Sequence, residues 1–130
     1  MHFGYAIIYV SDVEATLSFY ENAFNFKRHF IHESKQYGEL ATGETKLAFA
    51  CESLSESNGV LFVNNRADSA KAAGFELAFV TEHVLEAYEH AVDSGALAIK
   101  KPIEKPWGQL VAYVRDLNGI IIEICSPMNG

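Results

Sequence analysis

The chain has 130 residues and a mass of 14.4 kDa, which corresponds to about one domain of roughly 150 residues. Its residues are 49% hydrophobic and 21% charged, which is typical of a folded globular protein and argues against disorder. Ten basic and seventeen acidic residues give a net charge of −7, and the bases do not cluster, which argues against a nucleic-acid partner. The negative charge favours either simple solubility or a cationic small-molecule ligand.

The sequence also argues against a membrane partner. Apolar runs such as residues 120–122 are far shorter than the roughly 20 residues of a membrane span, and residues 1–4 lack the pattern of a signal peptide. Cys51 and Cys125 each end an apolar run, which favours buried free thiols in a reducing compartment over a disulfide. We therefore expect a cytoplasmic protein.

An internal repeat organises the chain. Residues 5–12 and 75–82 align at an offset of 75 − 5 = 70, with aromatic, aliphatic and acidic positions in the same order. Each segment ends in Ser or Thr followed by an acid, the pattern of a strand that leads into a helix N-cap. Apolar residues at three- and four-residue steps predict one helix over about 12–24 and another that begins near Val84 and ends before Gly95.

Three strand candidates follow each helix. They span residues 26–33, 37–41 and 46–51 in the first half, and 97–103, 109–115 and 120–125 in the second. The last strands correspond at an offset of 125 − 51 = 74. The pattern predicts an α+β fold in a single domain over 1–130, with βαβββ modules at about 3–51 and 74–126. The linker, 52–72, contains a candidate short strand at 60–63.

This doubled βαβββ pattern resembles the vicinal oxygen chelate superfamily, which includes glyoxalase I, extradiol dioxygenases, fosfomycin resistance enzymes and bleomycin resistance proteins. The resemblance covers essentially the whole chain. The segments that carry it are residues 10–13, Phe19, Tyr20, Phe24, 107–109 and 116–123. It implies that the mixed sheets of the two modules curl into a cup-shaped half-barrel.

The resemblance also places four site positions. Metal-using members carry four ligands, usually His and Glu, at positions that correspond here to Tyr5, Phe49, Phe75 and Glu123. Phenylalanine offers no donor atom, and the phenol of tyrosine is usually protonated at neutral pH. The resemblance therefore implies a member with no bound metal and no cofactor. Alternation places Glu76 on the face opposite Phe75, toward solvent or a subunit interface.

The histidines do not restore a metal site. His29 and His32 lie three residues apart on a predicted strand and should point to opposite faces, while His83 and His90 belong to the second helix. We expect solvent-exposed or edge positions for these side chains. Only His2, near the mouth of the cup, retains a functional interpretation.

Trp107 begins a Trp-Gly-Gln element at the entrance to the seventh strand. It either covers the mouth of the cup or anchors a hinge on the sheet. Glu123 is the remaining carboxylate, and either Tyr5 or Gln109 is expected to hydrogen-bond it.

The favoured interpretation is a metal-free homodimer that sequesters an apolar or cationic small molecule. Its expected ligand-binding residues are Tyr5, Phe49, Phe75, Trp107 and Glu123. The rings would stack on the ligand and Glu123 would recognise its charge. The alternative is a glyoxalase-like lyase, isomerase or dioxygenase, with Glu123 as base and Tyr5 as proton donor, or with a metal held by other ligands. A third interpretation is a structural dimer module whose cup is filled by its own side chains.

Overall fold

The computed structural model describes residues 1–128 and divides into two compact units, Met1–Asn65 and a second unit that begins at Arg66. The first contains β1 (Tyr5–Val10), α1 (Val13–Phe24), β2 (Arg28–Ile31), β3 (Tyr37–Leu40), β4 (Lys46–Cys51), a 3₁₀ turn (Glu52–Leu54) and the short α2 (Ser55–Asn58). The second contains β5 (Glu76–Val80), α3 (Val84–Asp93), β6 (Leu97–Glu104), β7 (Leu110–Arg115) and β8 (Ile121–Cys125).

Each unit has one four-stranded mixed sheet. The strand order is β1-β4-β3-β2 in the first and β5-β8-β7-β6 in the second. The first strand runs parallel to the last one in each unit, and the remaining pairs are antiparallel. The predicted α+β class is therefore confirmed, and neither sheet closes into a barrel.

The first unit has its core between α1 and one face of its sheet. Asp12 begins the helix by accepting the Ala15 amide at 2.9 Å, as the N-cap pattern predicts. Leu17 and Tyr20 are fully buried, and the Tyr20 ring lies 4.9 Å from that of Phe49. A side chain at Gly38 would come within 2.6 Å of Leu17 Cδ1, so glycine permits this close helix-to-sheet packing.

The second unit repeats this arrangement. Tyr88 and Ala91 of α3 are buried, as are Val114 on β7 and Ile122 on β8. The contacts of α3 are with β6, β7 and β8 of its own sheet. The apolar stripe read from the sequence is thus the packed face of the helix.

The turn between β7 and β8 requires glycine. Asp116 Oδ1 accepts the amides of Asn118 and Ile120 at 2.8 and 2.9 Å, which closes the turn. Gly119 has φ +85°, and an added Cβ would overlap the carbonyl oxygen of Arg66. Arg115 Nε donates to the Gly119 carbonyl at 2.8 Å, so the turn is also tied to the end of β7.

The linker differs from its prediction, because residues 60–63 form no strand. Side chains attach this segment instead. The Phe62 ring stacks on Tyr9 with centroids 4.2 Å apart, and Asn58 donates to the Tyr9 hydroxyl at 3.0 Å. Phe62 is therefore held by ring stacking, whereas Leu61 and Val63 are exposed.

Cys51 and Cys125 are both free. Within the described residues, no helix combines the length and the apolar character that a membrane crossing requires.

Candidate functional site

Tyr5 and Phe49 lie on opposite faces of the first sheet, which corrects the expectation that they share a cavity. Phe49 pairs with Ile8 and is fully buried against Tyr20 of α1. Tyr5 is 57% exposed and pairs with Lys46. Because paired residues of adjacent strands share a face and successive residues alternate, Tyr5 belongs to the face that α1 does not cover. This we call the open face of the sheet.

The cause is that both sequence offsets used to align the two halves of the chain, 70 and 74, were too short by one residue. The offset is 76 − 5 = 71 for the first residues of β1 and β5, 84 − 13 = 71 for α1 and α3, and 121 − 46 = 75 for β4 and β8. The counterpart of Tyr5 is therefore Glu76, and that of Glu123 is residue 123 − 75 = 48, Ala48. A one-residue slip exchanges the two faces of a strand.

Glu76 is exposed, as expected for a residue near solvent or a subunit interface, and it also lies beside Glu123. Phe75 comes directly before β5 and is exposed. In the second sheet, Glu76 pairs with Ile121 and Ala78 pairs with Glu123. The two glutamates are therefore diagonal neighbours on the face that α3 does not cover, which is the open face of this sheet. The two carboxyl groups interact, and Glu123 helps to raise the pKa of Glu76 above its ordinary value.

Two further side chains lie near Glu123. The Tyr113 hydroxyl donates to Glu123 Oε1 at 3.1 Å from the paired position on β7, and the Cys125 thiol lies two positions further along β8, where the charge of Glu123 acts on it. The residue that donates a hydrogen bond to Glu123 is therefore Tyr113 of the same unit, in place of Tyr5 or Gln109. We call Glu76, Tyr113, Glu123 and Cys125 the carboxylate cluster.

The ionisation of this cluster follows from its packing. Burial first, then the hydrogen bond with Glu123 and repulsion from its charge, raise the pKa of Glu76 above its ordinary value. Burial and the Glu123 carboxylate together raise the pKa of Tyr113 to about 12 and that of Cys125 to about 11. The phenol and the thiol therefore remain protonated at neutral pH, and Glu123 accepts the hydrogen bond of the phenol.

No basic side chain neutralises the two glutamates. Among residues 1–128, the salt bridges do not include Glu76 or Glu123. The cluster therefore presents unneutralised carboxyl groups on a sheet face that α3 does not cover.

Trp107 lies at the other end of β7 from the turn. Its indole Nε1 donates to Gln109 Oε1 at 2.9 Å, and Gln109 Nε2 donates to the Ser126 carbonyl at 2.9 Å. The side chain is 64% exposed and lines a cavity of about 570 Å³ together with Glu82 and Met128. The hydrogen bonds of Gln109 thus hold the indole at the rim of this cavity.

A second polar cluster, which the sequence did not indicate, lies in the first unit. Glu39 on β3 is buried and accepts a hydrogen bond from the Tyr37 hydroxyl at 2.8 Å. His29 Nδ1 lies 3.1 Å from its other carboxylate oxygen. His29 is exposed and lies on the edge strand β2, as expected, and it also has this buried partner. Two polar residues at alternate positions, 37 and 39, were the available signal.

The comparisons with known proteins agree with this architecture. The sequence profile of the glyoxalase-like domain matches residues 3–129. The chain belongs to the glyoxalase-like domain family. The expected membership of the vicinal oxygen chelate superfamily is thereby confirmed.

Solved structures show the same fold. A glyoxalase-related enzyme from Fulvimarina pelagi is 24% identical, with a TM-score of 0.80 over 98% of this chain and 88% of that one. A glyoxalase/bleomycin resistance protein/dioxygenase family enzyme from Burkholderia phytofirmans PsJN is 24% identical, with a TM-score of 0.79 over 97% and 98%. A glyoxalase/bleomycin resistance protein/dioxygenase from Nocardioides is 16% identical, with a TM-score of 0.77 over 100% and 85%.

The search of curated proteins finds no match.

The residues of this glyoxalase-like chain do not fit the family's divalent-metal centre. With the corrected offset, the four ligand positions carry Tyr5, Ala48, Glu76 and Glu123. Alanine has no donor and a phenol is a poor one, so two carboxylates remain where a transition metal needs three or four protein donors. Within the described residues, no three His, Cys, Asp or Glu side chains are grouped to hold a metal ion. We derive no catalytic step through a metal.

Proposed function

We propose that this chain is a small-molecule binding protein that recognises a cationic group through Glu123 and sequesters the ligand. One observation carries the proposal: Glu123 and Glu76 lie together on the open face with no basic partner among the described residues. A cation placed between them would relieve the repulsion between the two carboxyl groups and form charge-assisted hydrogen bonds.

Aromatic side chains supply the apolar part of this recognition. Phe75 and Trp107 are exposed in the second unit, which also contains Glu123. The faces of such rings attract cations by about 0.5 to 2 kcal/mol. We therefore expect the protein to bind a planar cation more tightly than a neutral ring, in agreement with the net charge of −7.

The proposal also includes a homodimer in the cytoplasm. The first and last strands in each sheet order, β1 and β2 in one and β5 and β6 in the other, are edge strands that a second copy could cover. Two free cysteines suit a reducing compartment.

A charged and a neutral ring of the same shape test the proposal. Benzamidine is a planar cation, and benzamide is its neutral counterpart. In isothermal titration calorimetry, we expect Glu123→Gln to weaken benzamidine binding by about 1 to 3 kcal/mol and to leave benzamide binding almost unchanged. If the substitution weakens the binding of both compounds equally, or if benzamidine does not bind the wild type, Glu123 does not recognise the charge of the ligand.

The matched control is Glu86→Gln. Glu86 is an exposed acid on α3, so the variant loses the same charge from the second unit without touching the carboxylate cluster. Benzamidine should bind this variant as it binds the wild type. A loss equal to that of Glu123→Gln would show that net charge, and not the site, attracts the compound.

A second candidate function is proton-transfer catalysis. It is favoured by the raised pKa of Glu76 beside a second carboxyl group, since a carboxyl group with a raised pKa can act as a proton donor. Glu76 or Tyr113 would then donate the proton that the sequence assigned to Tyr5. Turnover of the hemithioacetal of methylglyoxal and glutathione, lost in Glu123→Gln, would support a glyoxalase-like lyase over simple binding. Metal analysis of the purified protein would show whether a dioxygenase or isomerase with other metal ligands needs to be considered.

A further inference from the structure

The first unit contains a hydrogen-bonded chain that the carboxylate cluster does not explain. Glu39, which is 6% exposed, accepts the Tyr37 hydroxyl at Oε2, 2.8 Å away, and holds His29 Nδ1 3.1 Å from Oε1. Burial, followed by the hydrogen bond to Glu39 and the charge of that carboxylate, raises the pKa of Tyr37 far above its ordinary value. Tyr37 therefore remains a donor that occupies one oxygen and leaves the other for His29.

A β-bulge directs His29 to this carboxylate. Arg28 pairs with Leu40 and Phe30 pairs with Glu39, so two steps along β2 match one step along β3 and His29 is the extra residue. In a regular strand, His29 and Phe30 would point to opposite faces. A bulge changes the direction of a side chain, and such features are common beside functional sites.

The hydrogen bonds determine which ring nitrogen is available. An ionised carboxylate can only accept, so the hydrogen on the His29 ring must lie on Nδ1. In the neutral imidazole, Nε2 then carries a lone pair. The side chain is 53% exposed, and Nε2 has no hydrogen-bond partner among residues 1–128. His29 Nε2 is thus a hydrogen-bond acceptor that faces solvent, and the buried Glu39 fixes its orientation.

We propose that His29, positioned by Glu39 and Tyr37, is the hydrogen-bond acceptor of a second binding site that takes a phenol. The acceptor requires a ligand with a hydroxyl donor. The Phe30 ring, which is 5.4 Å from that of His29 and 6.0 Å from that of Tyr37, favours an aromatic ligand. The charge of Glu39 disfavours a carboxylate ligand. This site is built from side chains of the first unit, whereas Glu123 belongs to the second unit.

Histidine-selective ¹⁵N NMR in weakly alkaline buffer tests the acceptor. Phenol is the probe, and anisole is the same ring with its hydroxyl methylated. We expect phenol to shift the His29 Nε2 resonance in a saturable way and anisole to leave it unchanged. His29→Phe should weaken phenol binding about tenfold, because one hydrogen bond is lost. The control His32→Phe, at an exposed histidine whose Nδ1 contacts Ser34, should bind phenol normally.

Glu39→Gln tests the positioning role. Its amide can donate to Nδ1, which would move the ring hydrogen to Nε2, and the ¹⁵N shifts distinguish the two tautomers. We expect this tautomer change together with the loss of phenol binding.

Three results would overturn the proposal: an Nε2–H tautomer in the wild type, no phenol binding, or equal binding to wild type and His29→Phe. If Glu39→Gln does not fold, His29→Phe decides the question, because the replaced side chain is half exposed. Benzamidine binding, which depends on Glu123, would distinguish failure of this site from failure of the proposed function.

Discussion

At the scale of single residues, the chemistry of this protein depends on how carboxyl groups are partnered. Glu123 accepts from a phenol and has a thiol and a second carboxyl group nearby, whereas Glu39 accepts from a phenol and lies 3.1 Å from an imidazole nitrogen. In both cases a tyrosine that stays protonated occupies one position around the carboxylate. The other neighbour differs, because Glu123 has a second carboxyl group beside it and Glu39 has the ring of His29. This difference is the basis of the two proposed sites.

The raised pKa of Glu76 predicts a specific pH dependence of stability. The folded protein binds more protons than the unfolded chain between the ordinary pKa of 4.5 and the higher folded value. The stabilisation is fully present below 4.5 and is lost as the pH rises through the folded pKa. We therefore expect the free energy of unfolding of the wild type to fall, relative to Glu76→Gln, as the pH increases from 4.5 toward neutrality.

Urea denaturation of both proteins over this pH range is the measurement. Glu86→Gln is the control for the loss of one exposed carboxyl group from the same unit. A difference between wild type and Glu76→Gln that does not vary with pH would show that the pKa of Glu76 is not raised in the folded protein.

At the scale of elements, strand register decides which side chains meet. β1 and β5 have the same apolar pattern, and an offset of 70 matches their residue types better than the structural offset of 71. This difference brings Glu76 to Glu123 in place of Phe75. The separate offset of β4 and β8 is likewise longer by one residue, so Ala48 takes the place of Phe49, which packs against α1. The bulge in β2 has the same effect on His29, since one extra residue places its ring beside Glu39.

The helix stripes lead to a prediction about stability. Leu17 is fully buried between α1 and its sheet, so Leu17→Ala should lower the free energy of unfolding by about 2 to 5 kcal/mol. Leu85→Ala makes the same substitution at an exposed position on α3 and should change it by less than about 0.5 kcal/mol. Chemical denaturation measures both. Similar effects of the two substitutions would mean that the buried stripe is assigned to the wrong face.

At the scale of the whole molecule, the two units each build an α+β layer from the same order of elements. Each sheet has edge strands at both ends, and β6, the longest, carries exposed apolar side chains at Leu97, Ile99 and Ile103. An exposed apolar edge strand is prone to pair with another chain unless it is covered. A second copy of this chain is a symmetric way to cover it.

The proposed homodimer can be measured directly. Sedimentation velocity at micromolar protein should give a mass twice the 14.4 kDa of the chain. Ile99→Lys, which places a charge on the exposed edge strand, tests whether β6 takes part, and Lys101→Ala is its control on the same strand. A single species of 14.4 kDa across the concentration range would contradict the dimer.

The sequence by itself determined the elements and their order. The periodic apolar positions predicted α1 and α3, and six strand candidates lie within a few residues of β2, β3, β4, β6, β7 and β8. These features depend on local patterns, such as the Asp12 N-cap and the turn at Gly119, which a short stretch of sequence carries in full. The family resemblance was likewise carried by such motifs.

Only the tertiary structure decided the site. Tyr5 and Glu123 were placed on strands correctly, but their neighbours depend on pairing between distant strands, and one residue of register exchanges the two faces. The partners of Glu123 are therefore Glu76 and Tyr113 in place of Phe49 and Phe75. The bulge that turns His29 toward Glu39 leaves no periodic signal, because the inserted residue is recognised only against the strand with which β2 pairs.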